Sequence, residues 1–281
     1  MSGPRATRPT GSARSHGARR PLGPVVVALA VVGLALLVLP LVALVARAPW
    51  PRLPELLGDG AVAQALGLSL GTALAATALC LVVGVPLAVL LARSEGWPVV
   101  PRRLLRTAIT VPLVLPPVVG GIALLTLLGR QGLLGAPLAV LGIGIPFTTA
   151  AVVIAQTFVA LPFLVFSVEG ALRSADRRSE LAASSLGATP GQTFRLVTLP
   201  LVAPGVAAGA VLCFARALGE FGATITFAGS LPGVTRTLPV ASYLAMNSDP
   251  DVGVTLGLVL LVVALAVLLG LRDRWLPGAS S

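Results

Sequence analysis

Residues 174–200 run Ser-Ala-Asp-Arg-Arg-Ser-Glu-Leu-Ala-Ala-Ser-Ser-Leu-Gly-Ala-Thr-Pro-Gly-Gln-Thr-Phe-Arg-Leu-Val-Thr-Leu-Pro. They form a polar island between two long apolar stretches and read as two short helices. Ser174 or Asp176 caps the first, and Gly187 stands where a left-handed residue ends a helix. For the second, Thr189 as N-cap, Pro190 at the first helical position and Gln192 three residues after the cap make a capping box. The first helix presents Ala182, Ala183, Ser184 and Ser185 between charges. That suits close docking into a groove on a partner, and a solvated connector fits the same residues.

To either side the chain belongs in lipid. Of 281 residues, 56% are hydrophobic and 11% charged, with a mean hydropathy of +0.97. A soluble domain carries roughly a quarter of its residues as charges. Residues 23–46 contain no charge and are long enough to cross a hydrocarbon core of about 30 Å at about 1.5 Å per residue. Ala46-Arg47-Ala48 resembles a signal cleavage site, but the run is too long for a signal and Pro49 follows, which favours an uncleaved anchor. A second span lies within residues 60–92 and begins near Leu66. The third, 107–129, holds Pro112, Pro116, Pro117 and Gly120-Gly121, so its helix must be kinked or broken and must face protein. The fourth is placed at 147–168, with 133–145 as an external or interfacial piece, the fifth at 199–218 and the sixth at 252–271. Six spans put both termini on one side.

Arginine placement sets that side. With the termini inside, inner segments carry fifteen of the twenty arginines and outer segments four, so the positive-inside rule makes both termini cytoplasmic. Residues 1–22 then form a disordered, Arg-rich cytoplasmic tail, 23–271 the transmembrane domain with its cytoplasmic loop at about 173–200, and 272–281 a second cytoplasmic tail. The same clustering argues against a nucleic-acid-binding face. The chain has no lysine, which excludes a Walker A phosphate loop and a Schiff-base lysine. Its one histidine, His16, lies in the N-terminal tail, which excludes histidine metal sites and serine–histidine triads. Cys80 and Cys213 read as small buried hydrophobes. No catalysis, cofactor or metal site is expected of this chain.

Past the fifth span, Arg216 and Glu220 share a helical face, and each would cost about 2.5–3.5 kcal/mol alone near the bilayer centre. They should pair or line water, and a structural ion pair is favoured over contact with cargo. Thr224, Thr226 and Ser230 offer hydroxyls, while Gly219, Gly222 and Gly229 permit close backbone approach. A weakly binding path for a small oxyanion needs such groups, and ordinary helix packing uses them too.

The loop resembles the cytoplasmic coupling loop of binding-protein-dependent ABC importer permeases, whose signature is Glu-Ala-Ala, three residues, Gly, nine residues, a branched aliphatic, one residue, then Leu-Pro. Ala182, Ala183, Gly187, Val197, Leu199 and Pro200 fall on that spacing, whereas Leu181 fills the glutamate slot and Glu180 sits one residue earlier. The resemblance implies an all-α integral membrane protein with the type I ABC importer permease fold. It also implies a homodimer served by two cytoplasmic ATPases and an extracytoplasmic binding protein, moving cargo by alternating access. The missing lysine accords with power supplied by a separate subunit. The stretch 216–239, Arg-Ala-Leu-Gly-Glu-Phe-Gly-Ala-Thr-Ile-Thr-Phe-Ala-Gly-Ser-Leu-Pro-Gly-Val-Thr-Arg-Thr-Leu-Pro, is similar to the molybdate branch of that family. Sulfate and thiosulfate permeases share its Leu-Gly-Glu-aromatic-Gly core, and tungstate is not separable from molybdate. In this frame Arg216, Gly219, Glu220, Gly222, Thr224 and Thr226 are candidates for the path or gate. An ion-driven secondary transporter is the alternative of another class; it needs intramembrane acids or histidines, and only Glu220 and Glu169 are available.

Overall fold

The computed structural model describes residues 23–275, and every regular element among them is helical. Residues up to Ala46 and those from Arg47 onward form separate compact units. The first contains α1 (Pro24–Ala46), which has no buried residue and no polar side chain. A helix apolar all round is suited to hydrocarbon along its length. The second contains α2 (Leu53–Gly58), α3 (Gly60–Arg93), α4 (Val99–Val114), α5 (Pro117–Leu128), α6 (Gly135–Val140), α7 (Thr149–Ser174), α8 (Arg177–Ser185), α9 (Pro190–Thr193), α10 (Leu199–Leu218), α11 (Gly222–Phe227), α12 (Leu238–Ser248) and α13 (Pro250–Trp275). The tail expected over 1–22 and residues 276–281 of the second tail lie outside the described residues. α13 runs past 271 to Trp275.

Caps explain where the spans differ from their apolar limits. α3 begins at Gly60 rather than near Leu66 because the Asp59 carboxylate accepts from the Ala61 N–H at 3.0 Å. α7 begins at Thr149 because the Thr148 hydroxyl accepts from the Ala151 N–H, while Phe147 before it has a left-handed φ of 62°. α9 is not a separate helix. It runs through a π-helical turn, Phe194–Thr198, into α10, giving one helix from Pro190 to Leu218. Pro200 cannot donate to the Leu196 carbonyl and its ring crowds that oxygen, and the slip to the wider turn relieves both problems.

α3, α7 and α10 form the central core. Gly84 and Cys80 of α3 meet Leu161 and Thr157 of α7, and Glu95 just past α3 meets Arg173 near the end of α7, so these two helices run parallel. α10 runs antiparallel to α7: a Cβ on Gly205 would stand 2.3 Å from the Ala171 Cβ, and one on Gly209 would stand 2.9 Å from Leu164. This Gly-x-x-x-Gly face lets the two backbones approach, and the Ser167 hydroxyl donates to the Gly205 carbonyl at 3.1 Å. Cys80 and Cys213 are buried in this core as free thiols.

Because α3 and α7 are parallel, the chain must return between them, and α4 with α5 makes that return. The two meet at a 116° bend across Leu115-Pro116, sharper than the kink expected for the third span, and α4 starts eight residues before it. Read along α7, Arg106 meets Glu169, Gly120 meets Phe158, and Leu124 packs with Ala151 and Val152. The pair thus advances in one direction, as a single broken crossing. Among the described residues five helices are long and apolar enough to cross a membrane, and six crossings result when this bent pair is counted as one.

Replacing Gly205 with Val forces a branched side chain into the rigid Ala171 contact. It should cost about 1–3 kcal/mol, read as a lower thermal midpoint in detergent. Gly71→Ala, at a site with no neighbour within 4 Å, should leave the midpoint unchanged.

Candidate functional site

α8 is built as the sequence predicts, with one choice resolved. The Asp176 carboxylate accepts from the Arg178 N–H at 2.9 Å, whereas the Ser174 hydroxyl turns back to the Ala171 carbonyl, so Asp176 is the cap. At the other end Gly187 has a φ of 83°, with Ala188 N–H donating to Ala183 and Gly187 N–H to Ser184, which together make a Schellman closure. The capping box of Thr189 and Gln192 is present. Ala182, Ser184 and Ser185 are exposed and Ala183 is half-buried. Leu181 and Leu186 stand out beside them, 65% and 89% exposed. None of the described side chains of α8 is fully buried.

Glu180 does not face outward with them. Its Oε1 accepts from the hydroxyl of Thr198, a buried residue in the π turn, at 2.6 Å. A cleft of about 420 Å³ opens beside it between Arg93, Leu181, Ser184, Pro190 and Thr193. Leu199 and Pro200 are the first residues of α10. Thr198 escapes a reading of the sequence because the left-handed break at Gly187 lies between it and Glu180, so the 18-residue separation carries no helical period.

At the same end of the unit, Glu169 is 4% exposed and accepts from Arg106 of α4 and, at 2.9 Å, from Arg173 Nε. Arg173 also reaches Glu95 at 2.7 Å, and the Arg106 guanidinium stands 5.9 Å over the Phe166 ring. Two guanidiniums on one carboxylate pin the start of the broken crossing to α7. Glu169 and Arg173, four apart, were legible as a pair; Arg106 was not. At the opposite end Arg52 donates to Asp251 at 2.7 Å, and this bond, with the Asp249 charge, holds its guanidinium above the ordinary pKa.

At the far end of α10, Arg216 meets Glu220 at 2.8 Å, so the expected pair forms. Glu220 is 1% exposed, and its second oxygen accepts the Ala223 N–H at 2.7 Å, fixing the start of α11. α11 lies on α5 through small residues. A Cβ on Gly222 would meet Pro117 at 2.8 Å, and one on Gly121 would overlap Thr226 and stand 2.8 Å from the Ala223 carbonyl. Gly219 differs from the sequence expectation: its nearest neighbour is its own helix's Ala215 carbonyl at 3.7 Å, so it permits no close approach to another element. The Thr226 hydroxyl donates to the Gly222 carbonyl of its own helix at 2.9 Å. The Thr224 hydroxyl is buried and unpartnered, as are both amide atoms of Gln156 on α7, a polar residue in an uncharged run that the sequence reading passed over.

These features define a polytopic membrane protein with an exposed loop helix. The chain belongs to the family of binding-protein-dependent transport system inner membrane components, whose profile matches residues 84–277. It is 55% identical over 245 residues to the molybdenum transport system permease protein ModB of Mycobacterium tuberculosis, covering 87% of this chain and 92% of that one. With ModB of Escherichia coli it shares 41% over 180 residues, 64% and 79% of the two chains. Among solved structures, a bacterial ABC transporter that imports alginate aligns with a TM-score of 0.69 at 19% identity, over 89% of this chain and 94% of that one, which shows the same fold.

Two substitutions probe this geometry. Glu220→Gln keeps an acceptor for the Ala223 N–H but strips Arg216 of its counter-charge. The loss should fall toward the lower end of the roughly 3–5 kcal/mol seen for broken buried pairs, since Arg216 is partly exposed; the yield of folded protein in detergent measures it. Gly187→Val meets open space but must hold a left-handed backbone, at a cost of about 1–2 kcal/mol. Membrane insertion should survive while any transport that depends on α8 falls severalfold.

Proposed function

We propose that this chain is the permease subunit of an ATP-driven molybdate importer. The observation that carries the reading is the 55% identity to a molybdenum permease over nearly the whole chain, joined to a loop helix that exposes small residues and two leucines. A homodimer would enclose the path, two cytoplasmic ABC ATPases would engage the α8 loops, and an extracytoplasmic binding protein would deliver the anion. Both termini are assigned to the cytoplasm of a bacterial-type inner membrane, since arginines crowd the end of the unit that carries α8. Residues 23–271 act as one permease domain.

In this reading α3, α7 and α10 move together as one rigid core, and the gate is the seam between α5 and α11. Glycines there keep the seam free of bulky side chains, with only Thr226 seated against Gly121, and the break at Leu115-Pro116 lets α5 turn without dragging α4. Thr224, on α11 itself, holds a buried and unsatisfied hydroxyl, and burial of an unpaired polar group costs about 1–3 kcal/mol. Movement of α11 would let it meet an oxyanion or water. Gly222 and Thr226 line the seam, Arg216 and Glu220 brace its end and Gly219 closes α10, rather than bind cargo: Glu220 satisfies Arg216, and the Thr226 hydroxyl is taken by the Gly222 and Ala223 carbonyls and, across the seam at 3.5 Å, by that of Val118. Family membership weighs against an ion-driven secondary transporter.

Labelled molybdate uptake into proteoliposomes holding this chain with its ATPase and binding protein tests the proposal. ATP-dependent uptake that excess sulfate fails to suppress is expected. Suppression by sulfate would move the assignment to the sulfate branch, and uptake without ATP would overturn it.

A further inference from the structure

The glutamate nearest the loop's signature position is turned inward. None of the described side chains of α8 is fully buried, and the helix is flanked by two places where the chain can swivel, the extended Ala175 before it and the left-handed Gly187 after it. Its Ser184 and Ser185 hydroxyls donate to carbonyls of their own helix. A nine-residue helix so placed has little of its own to keep it in register with the membrane core. The Glu180–Thr198 hydrogen bond joins the middle of α8 to the root of α10, and a bond to a carboxylate is among the stronger kinds. Thr198 is 2% exposed, so the bond is shielded from water on that side. From Thr198 the helix runs unbroken to Leu218, and Glu220, paired with Arg216 there, accepts the Ala223 N–H in the first turn of α11.

We propose that Glu180 is a positioning residue that acts through Thr198. It locks α8 to α10, so that a push on the loop reaches the Glu220 end of the fifth span as a rigid displacement, and it makes no contact of its own with the ATPase. The surface left for the ATPase is then the outward face of Leu181, Ala182, Ser185 and Leu186. This inference rests on the reading that α8 receives the ATPase.

The chemistry of the bond supplies the test. Glu180 is the acceptor, and a glutamine oxygen can accept the same hydroxyl, so Glu180→Gln should behave like the unaltered chain and Thr198→Ser should too. Glu180→Ala and Thr198→Val each remove the bond. Each should lower anion moved per ATP hydrolysed on the order of tenfold, with the ATPase still co-purifying, and the double variant should be no worse than either single one. A charge contact with the ATPase would give the opposite pattern, with Glu180→Gln as impaired as Glu180→Ala and Thr198→Val silent. Either that pattern or multiplying losses in the double variant would overturn the proposal. Hydrogen exchange in the assembled complex separates this inference from the import reading. Amides of residues 179–186 should exchange faster in Glu180→Ala and Thr198→Val, but not in Glu180→Gln, whatever anion is carried. Unchanged exchange would count against the tie even if uptake by the unaltered chain were confirmed.

Discussion

The close approach of α10 to α7 at Gly205 and Gly209 is the contact on which the rest of the structure depends. In lipid no hydrophobic force drives helices together, so association must come from van der Waals contact and shared polar groups, and both grow as backbones near each other. Here a Cβ at either glycine would collide with Ala171, Leu164 or Ser167. With α10 held against α7, its two ends are fixed in space. One end presents Thr198 to the loop helix and the other presents Arg216 and Glu220 to α11, so the two regions of functional interest are opposite ends of one braced rod.

A second constraint is that the bilayer offers no water to an unpaired backbone group. The chain nevertheless carries 24 prolines. Where they interrupt helices, the structure finds local remedies: a π turn ahead of Pro200 and a full break at Leu115-Pro116. The break also marks a place where the chain can move, so irregular backbone and proposed motion coincide there. The ion cluster of Arg106, Glu169 and Arg173 does the reverse and pins the near end of the broken crossing.

Much of this was legible in the sequence because it is local. Span number follows from uncharged runs of membrane length, the capping box from Thr189 and Gln192, the left-handed closure from Gly187, and the Arg216–Glu220 pair from a spacing of four. What stayed hidden depends on tertiary placement. The Glu180–Thr198 and Arg106–Glu169 partners lie 18 and 63 residues apart, and no periodicity couples them. The merger of α9 with α10 was missed because a capping box announces a helix start but says nothing of where the helix ends. Gly219 was grouped with Gly222 by composition, and only the packing separates them: one faces its own helix and the other faces Pro117.

The central claim is that the seam between α5 and α11 opens while the core of α3, α7 and α10 holds. Paired cysteines test it most directly. One pair, Val118→Cys with Thr226→Cys in a chain with Cys80 and Cys213 replaced by alanine, spans the seam; the other, the native Cys80 of α3 with Cys213 of α10 in the otherwise unaltered chain, spans the core. Disulfide yield would be compared in the assembled transporter without nucleotide and with the ATPase trapped on ATP. The account predicts that the seam pair changes its yield between the two states and the core pair does not. A seam yield that ignores nucleotide, or a core yield that follows it, would contradict the account.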